Sequence, residues 1–265
     1  MNLKILMVGD VVGAPGRRIL KENLAKLRER MGLAAVVVNG ENAAAGAGIT
    51  VPLARELVAA GADAITLGDH TWSQKEYVST CNVLQNVVRP ANFPPSAPGK
   101  GWCIVTAPLF RFAVVNLIGR VFMNPADCPF LAADRILAEI PKDLPVFVDF
   151  HAEATSEKIA LAKYLDGRVT AVVGTHTHVQ TSDAFVLPQG TAFQTDLGMT
   201  GPWFSSIGRK FEPVLQKFIT GVPARFDVDE GPATLEGAIV TFDAATRRAS
   251  AIEAFRLRES LGGTR

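Results

Sequence analysis

Short apolar segments alternate with helical patterns over the first 70 residues of the chain. Residues 3–8, 34–38 and 64–67 are apolar runs of strand length. Between them, residues 17–30 carry apolar side chains at helical spacing, and residues 51–60 form a second helical segment. This β-α-β-α-β order predicts a parallel sheet with right-handed crossovers.

The remainder of the chain is less regular but contains further predicted elements. Four prolines between Pro90 and Pro98 indicate an irregular loop over residues 86–101, and a hairpin is expected from residues 102–107 and 111–117. Helices are predicted over residues 129–139 and 156–165, and strands over residues 145–150 and 170–173. Later strands are predicted over residues 184–187, 191–194, 235–243 and 249–255. We expect these later strands to form a second sheet.

Polar residues follow each strand of the predicted parallel sheet. Asp10 comes after the first strand, Glu41 and Asn42 after the second, and Asp69 with His70 after the third. Ligands of such sheets collect beyond the carboxyl ends of the strands. The sequence therefore predicts that these side chains share one edge of the sheet.

All four histidines of the chain lie in short motifs that follow predicted strands, L-G-D-H, D-F-H-A and G-T-H-T-H. A lone histidine at such a position is more often a hydrogen-bonded structural residue than a metal ligand. If residues 175–178 are extended, however, His176 and His178 project to one face, where two protonated imidazoles would repel each other. A cation between them removes that repulsion. Together with the carboxylates, the histidines favour a divalent-metal centre.

Composition argues against several other classes of protein. A chain of 265 residues with 48% hydrophobic residues can form one large α/β domain or two smaller ones. The 27 basic and 26 acidic residues balance, so we expect neither an extended nucleic-acid surface nor membrane-surface binding. The chain has three cysteines without C-x-x-C spacing, which is typical of a reducing cytoplasm rather than of disulfides or a cysteine zinc site. No apolar run approaches the roughly 20 residues of a membrane span.

Glycine-rich segments give no clear nucleotide-binding motif. Gly9, Gly13 and Gly16 are spaced G-x-x-x-G-x-x-G rather than G-x-G-x-x-G, and a glycine turn needs no ligand to explain it. The A-A-A-G-A-G loop at residues 43–48 would let a substrate approach the backbone closely, or it is only a turn.

In their order along the chain, the motifs resemble those of the calcineurin-like metallophosphoesterase superfamily, and most closely those of YmdB-type bacterial phosphodiesterases. The similar blocks are V-G-D-V-V-G, N-G-E-N, G-D-H-T-W, D-F-H-A-E-A-T-S-E-K, G-T-H-T-H-V and T-D-L-G-M-T-G-P, spread over most of residues 3–202. The resemblance implies an α/β fold in which helices flank a sandwich of two β-sheets. It implies a single domain over residues 1–265, with an irregular loop and hairpin region at about 71–128.

The same resemblance implies a dinuclear metal centre that hydrolyses small cyclic nucleotides, 2′,3′-cyclic or 3′,5′-cyclic, with a bridging hydroxide as nucleophile. The expected ligands are divided between two divalent ions: Asp10, Glu41, Asn42 and His178 at one, and Glu41, Asp69, His151 and His176 at the other, with Glu41 shared. Iron or manganese is favoured, and zinc is compatible with this donor set. His70 is left to protonate the leaving alkoxide, with a structural role as the alternative.

The chain departs from the common pattern at two positions. Most metallophosphoesterases have a histidine where this chain has Val12; YmdB-type proteins share that difference, and Asn42 is expected to complete the metal's ligands. Asp69 stands where the family motif has asparagine. The sequence does not decide the roles of two further carboxylates. Asp149 and Asp196 could each bond a ligand histidine, and Asp196 could instead cap a loop.

Other functions remain open from the sequence. A phosphomonoesterase or a nuclease would use the same metal centre, and a regulatory protein would bind nucleotide there with little turnover. The small cyclic nucleotide is the expected partner, and the sequence does not fix the oligomeric state, so a homo-oligomer stays open.

Overall fold

The computed structural model describes residues 1–261, which form 14 strands and six helices. The strands are β1 (Asn2–Val8), β2 (Asp10–Val11), β3 (Ala35–Asn39), β4 (Ala64–Thr66), β5 (Val87–Val88), β6 (Trp102–Thr106), β7 (Arg111–Ile118), β8 (Val146–His151), β9 (Ala171–Thr175), β10 (Phe185–Val186), β11 (Ala192–Gln194), β12 (Met199–Pro202), β13 (Ala233–Asp243) and β14 (Ala249–Arg258). The helices are α1 (Gly13–Met31), α2 (Val51–Ala60), α3 (Lys75–Thr80), α4 (Pro129–Glu139), α5 (Thr155–Tyr164) and α6 (Phe211–Thr220). Residues 262–265, part of the expected domain, lie outside the described range.

The first sheet contains the predicted parallel strands. Its order is β2-β12-β13-β1-β3-β4-β5, and β14 pairs with β13. Strands β1, β3, β4 and β5 are parallel to one another, which confirms the expectation from the β-α-β-α-β order. Because they are parallel, their carboxyl ends lie at one edge of the sheet.

The second sheet has the order β10-β11-β9-β8-β7-β6. Strands β7, β8 and β9 are parallel, and β6 pairs antiparallel with β7 as the predicted hairpin. The expectation that the later strands form this sheet is wrong in part, because β13 and β14 belong to the first sheet. The first eight residues of β13 are all buried. Such a pattern indicates a strand covered on both faces, but it does not say which sheet the strand joins.

Three apolar clusters show how the layers stack. The one between the two sheets combines residues of both, and its rings pack edge to face: Phe147 lies 5.7 Å from Phe112 and 5.3 Å from Phe242, measured between ring centroids. A second cluster packs α1 and α2 on the outside of the first sheet, and a third packs α4 and α5 on the second sheet. The predicted sandwich of two β-sheets flanked by helices is confirmed.

The early glycines serve backbone packing. A Cβ at Gly9 would overlap the carbonyl of Gly198, and a Cβ at Gly16 would overlap the carbonyl of Thr200. These contacts let β1 and α1 approach the segment around β12 closely. Close packing, rather than a turn, therefore explains Gly9 and Gly16, and Gly16 lies within α1.

Within residues 1–261, no helix combines the length and the apolar composition needed to cross a membrane.

Candidate metal centre

The predicted ligands all follow carboxyl ends of parallel strands, from both sheets. Asp10 comes after β1, Glu41 and Asn42 after β3, Asp69 after β4, His151 at the end of β8, and His176 and His178 after β9. Strand β1 is parallel to β3 and β4, and β8 is parallel to β9. The two sheets therefore present their polar loops to a common region.

Four of these residues form one tight group. Glu41, Asp69, His151 and His176 each offer one ligand atom, and those atoms lie within 4.8 Å of one another. His151 Nε2 is 3.0 Å from Asp69 Oδ1 and 3.2 Å from Glu41 Oε1, and His176 Nδ1 is 3.0 Å from His151 Nε2. These are the residues that the resemblance assigns to one of the two ions.

The remaining predicted ligands lie against this group. Asp10 is fully buried; its Oδ2 accepts a hydrogen bond from the His176 amide at 3.1 Å, and its Oδ1 has no hydrogen-bond partner among residues 1–261. An unpaired buried carboxylate oxygen is unfavourable unless a cation compensates it. Its position beside the group, 3.7 Å from His151 Nδ1, fits a metal ligand.

A second feature that fits a cation site lies between Asn42 and His178. The Asn42 amide donates to the Gly46 carbonyl, which directs Oδ1 toward His178 Nε2 at 3.1 Å. His178 Nδ1 faces the Ile207 carbonyl at 3.0 Å and must carry the proton there, since a carbonyl only accepts. Burial lowers the pKa of His178, so the ring is neutral and Nε2 holds a lone pair. Two acceptors thus face each other, which is the arrangement of two ligands on one metal ion.

The charge balance of the centre also indicates that it binds a cation. Burial lowers the pKa of His151, but Glu41 and Asp69 outweigh burial, and the net pKa lies well above its ordinary value. For the carboxyl groups of Glu41 and Asp69, burial acts in the opposite direction and raises the pKa. Their bonds to His151 outweigh burial, so both pKa values lie below the usual range. The pKa of Asp10 is raised, first by burial and then by neighbouring carboxylates. Three carboxylates converge on one buried imidazole, so the site requires additional positive charge.

Thr175 and Asp149 orient the His151 ring. The Thr175 hydroxyl donates to Asp149 Oδ1 at 2.7 Å and therefore accepts from His151 Nδ1 at 2.9 Å. With Nδ1 held by the hydroxyl, Nε2 points at Glu41 and Asp69, the side on which a metal ion would bind. Asp149 also accepts from Thr66 at 2.5 Å and from Asn39 at 3.0 Å. Asp149 therefore orients His151 indirectly, through the Thr175 hydroxyl.

The segment at residues 175–178 is not extended, so the condition under which His176 and His178 would project to one face is not met. Strand β9 ends at Thr175, and His176 and His178 have φ angles of 102° and 64°. Each non-glycine residue in such a conformation costs about 1–3 kcal/mol and persists only where surrounding contacts enforce it. The two imidazoles reach the centre through a turn, not through the alternation of a strand.

His70 lies beside the four-residue group and outside it. Its Nδ1 is 3.1 Å from Glu41 Oε1 and 3.3 Å from the Asn42 amide nitrogen. The bond to Glu41 outweighs burial and raises the pKa of His70. The side chain is 38% exposed, against 0% for His151 and 21% for His176. The polar contacts of the ring within the described part of the chain all involve Nδ1, so Nε2 has no polar contact there.

Sequence reasoning missed two residues of this site. They are Thr175, which orients His151, and Glu153, whose Oε2 lies 3.1 Å from His176 Nε2. A carboxylate on the second ring nitrogen fixes the orientation and tautomer of a metal-binding histidine. Glu153 lies within the D-F-H-A-E-A-T-S-E-K block, which was the only signal for it.

Comparison with known proteins identifies the family. A family model described as YmdB-like protein matches residues 6–255. The 2′,3′-cyclic-nucleotide 2′-phosphodiesterase of Bacillus subtilis strain 168 is 50% identical over 252 residues, which cover 95% of this chain and 96% of that protein.

Two solved structures share the fold over nearly the whole chain. A hypothetical protein of Thermus thermophilus is 44% identical with a TM-score of 0.91, covering 97% of this chain and 100% of that one. A novel phosphatase from Mycoplasma pneumoniae is 35% identical with a TM-score of 0.93, covering 99% of this chain and 95% of that one. The family resemblance of the sequence motifs is therefore confirmed. The chain belongs to the YmdB-like protein family and is an enzyme of the metallophosphoesterase type.

Proposed function

We propose that this enzyme hydrolyses 2′,3′-cyclic nucleotides at the 2′ oxygen by means of two divalent metal ions. The observation that carries the proposal is the set of buried acceptor atoms left facing one another at the strand ends, most clearly Asn42 Oδ1 opposite His178 Nε2. The relative from Bacillus subtilis, named for this activity, supports the choice of substrate.

The donor set fits two ions that share Glu41. Glu41, Asp69, His151 and His176 would hold one ion, because their ligand atoms already lie within 4.8 Å of one another. Asp10, Asn42 and His178, with Glu41, would hold the other, because in the described structure Asp10 Oδ1 has no hydrogen-bond partner and Asn42 Oδ1 faces another acceptor, His178 Nε2. Mixed oxygen and nitrogen ligands suit manganese or iron, and zinc is compatible.

Two bound ions would activate a water molecule and neutralise the attacking and leaving oxygens of an in-line displacement. The protein would supply the proton for the leaving 2′ oxygen. We assign that role to His70, and the contact of its Nδ1 with Glu41, which leaves the Nε2 edge open, supports the assignment. A 2′ alkoxide is a poor leaving group, so general-acid help of this kind contributes roughly 10²–10⁴-fold to the rate.

The test combines metal analysis with a substrate panel. Protein purified without added metal is analysed for manganese, iron and zinc, and is then assayed with 2′,3′-cyclic AMP, 3′,5′-cyclic AMP, 3′-AMP and single-stranded RNA. We expect two ions per chain when the protein is fully loaded and turnover mainly of the 2′,3′-cyclic substrate. Preferred turnover of 3′-AMP or RNA would replace the proposal with a phosphomonoesterase or a nuclease. Binding without turnover would replace it with a nucleotide-binding regulator.

A further inference from the structure

A buried ion pair lies behind the turn that carries His176 and His178. Lys158 on α5 and Asp196, between β11 and β12, bond through Nζ and Oδ2 at 2.7 Å, and each side chain is only 1% exposed. Stability alone does not explain such a pair, because burying two charges removes their hydration, and apolar replacements are often neutral or stabilising. The contacts of the pair show another role.

The Asp196 carboxylate also accepts two backbone hydrogen bonds. Oδ2 accepts from the Thr177 amide at 3.1 Å, and Oδ1 accepts from the Gly198 amide at 2.9 Å. Thr177 lies between His176 and His178, the two residues with positive φ angles. The carboxylate therefore holds the central peptide of the turn that carries both imidazoles.

Lys158 holds the Asp196 carboxylate in position. Its aliphatic stem packs under β9, so that a Cβ at Gly174 would lie 2.8 Å from Lys158 Cδ. Its ammonium group approaches the same oxygen that receives the Thr177 amide. Removing the lysine charge would leave Asp196 buried with amide donors only, and the carboxylate would move toward other donors or water.

We propose that Lys158 and Asp196 are positioning residues that fix the His176–His178 turn in the shape needed for metal binding. This inference rests on the metal site of the proposed function. Because His176 and His178 are held in a rarely adopted backbone conformation, loss of the Thr177 anchor lets the turn relax toward ordinary φ angles. The imidazoles then move away from His151 and Asn42.

The first experiment uses Lys158→Met, which keeps most of the aliphatic stem and removes the charge. Mn²⁺ affinity is measured by calorimetry on the metal-free protein, and hydrogen–deuterium exchange of residues 174–180 is followed without metal. We expect Mn²⁺ affinity to fall roughly 10–100-fold, as for other residues that orient metal ligands, and the exchange of this segment to become faster.

Asp63→Asn provides the matched control. Asp63 Oδ2 also accepts from one cation and one backbone amide, Arg28 at 2.8 Å and Val36 at 2.7 Å. It lies before β4, at the edge of the sheet opposite the metal centre. This variant should lower the melting temperature while its Mn²⁺ affinity and the exchange of residues 174–180 stay as in the wild type.

A double variant, Lys158→Met with Asp196→Asn, covers the case in which the single variant does not fold. It leaves no unpaired buried charge, but the amide has an NH2 donor where one carboxylate oxygen was. Because Thr177 and Gly198 bond different oxygens of Asp196, one of the two backbone amides then faces a donor. We expect its melting temperature to exceed that of Lys158→Met, with Mn²⁺ affinity still reduced and exchange still fast. Wild-type affinity and exchange in either folded variant would overturn the inference. If the wild type binds no Mn²⁺, the proposed function fails, and the exchange measurements alone decide the inference.

Discussion

The Thr175 hydroxyl offers a sharp test of how the centre is organised. Thr175 is fully buried, and its Oγ1 joins Asp149, at 2.7 Å, to His151, at 2.9 Å. Thr175→Val preserves the shape of the side chain and removes both bonds, together with a longer bond of 3.3 Å that Oγ1 accepts from Asn39 Nδ2. His151 then loses the acceptor that keeps the proton on Nδ1, and Asp149 loses one of three side-chain donors.

The size of the effect follows from these contacts. A hydrogen bond to a charged group contributes about 1.5–3 kcal/mol and a neutral one about 1 kcal/mol, while the added methyl group returns roughly 0.8 kcal/mol. The net loss in the free energy of unfolding is about 2–3 kcal/mol. In a chain of this size, that corresponds to a fall in melting temperature of about 5–10 °C. Mn²⁺ affinity should fall by about 10–100-fold, because the ring loses its fixed tautomer and orientation.

Calorimetry measures both quantities, the melting temperature by scanning and Mn²⁺ affinity by titration of the metal-free protein. Thr175→Ser is the matched control, since it keeps the hydroxyl and removes only a methyl group. It should retain Mn²⁺ affinity close to the wild-type value. If the serine variant loses as much affinity as the valine variant, packing rather than hydrogen bonding controls the site. Unchanged affinity in the valine variant would refute the proposed role of the hydroxyl.

Three further predictions concern charge and protonation. Asp69→Asn should weaken the binding of one metal ion, because an amide oxygen is a weaker donor to a hard cation than a carboxylate; tighter binding in a metal titration would contradict this. His70→Ala should retain metal and lose turnover by roughly 10²–10⁴-fold, whereas His176→Ala should lose metal as well. Elemental analysis and single-turnover assays separate the two variants, and full turnover without His70 would show that it is not the proton donor. Burial raises the pKa of Asp183, but bonds from its threonine neighbours outweigh burial and bring the pKa below its ordinary value. Its contribution to stability is therefore present above the unfolded pKa of about 3.9 and is lost as pH falls through the folded value; Asp183→Asn should make the melting temperature less sensitive to acid, and an equally steep decline would count against this.

The sequence by itself determined the first half of the fold and the identity of the chemistry. Continuous apolar runs at β1, β3 and β4, separated by helical patterns, were sufficient to predict parallel pairing, and helices α2 and α4 have the predicted bounds. The reason is physical: buried parallel strands and amphipathic helices each impose their own period on nearby residues.

Short and exposed elements could not be predicted from the sequence pattern. Strands β2, β5 and β12 have two to four residues, too few to show a period. Helix α6 exposes apolar side chains such as Phe218, which is 82% exposed, so its pattern does not follow burial. The placement of β13 beside β1 depends on contacts between residues more than 220 positions apart, such as Leu6 with Ile239, which no local pattern specifies.

The same division holds for the candidate site. The motifs named the histidines and carboxylates because their chemistry is visible in the residue types and they follow strand ends. Only the tertiary structure decided how they meet. It placed Thr175 between His151 and Asp149. It also brought His176 to His151 and His178 to Asn42 through positive φ angles rather than through strand alternation. Tautomers, unpaired buried oxygens and an anchored turn arise from contacts among distant segments, and such contacts exist only once the chain has folded.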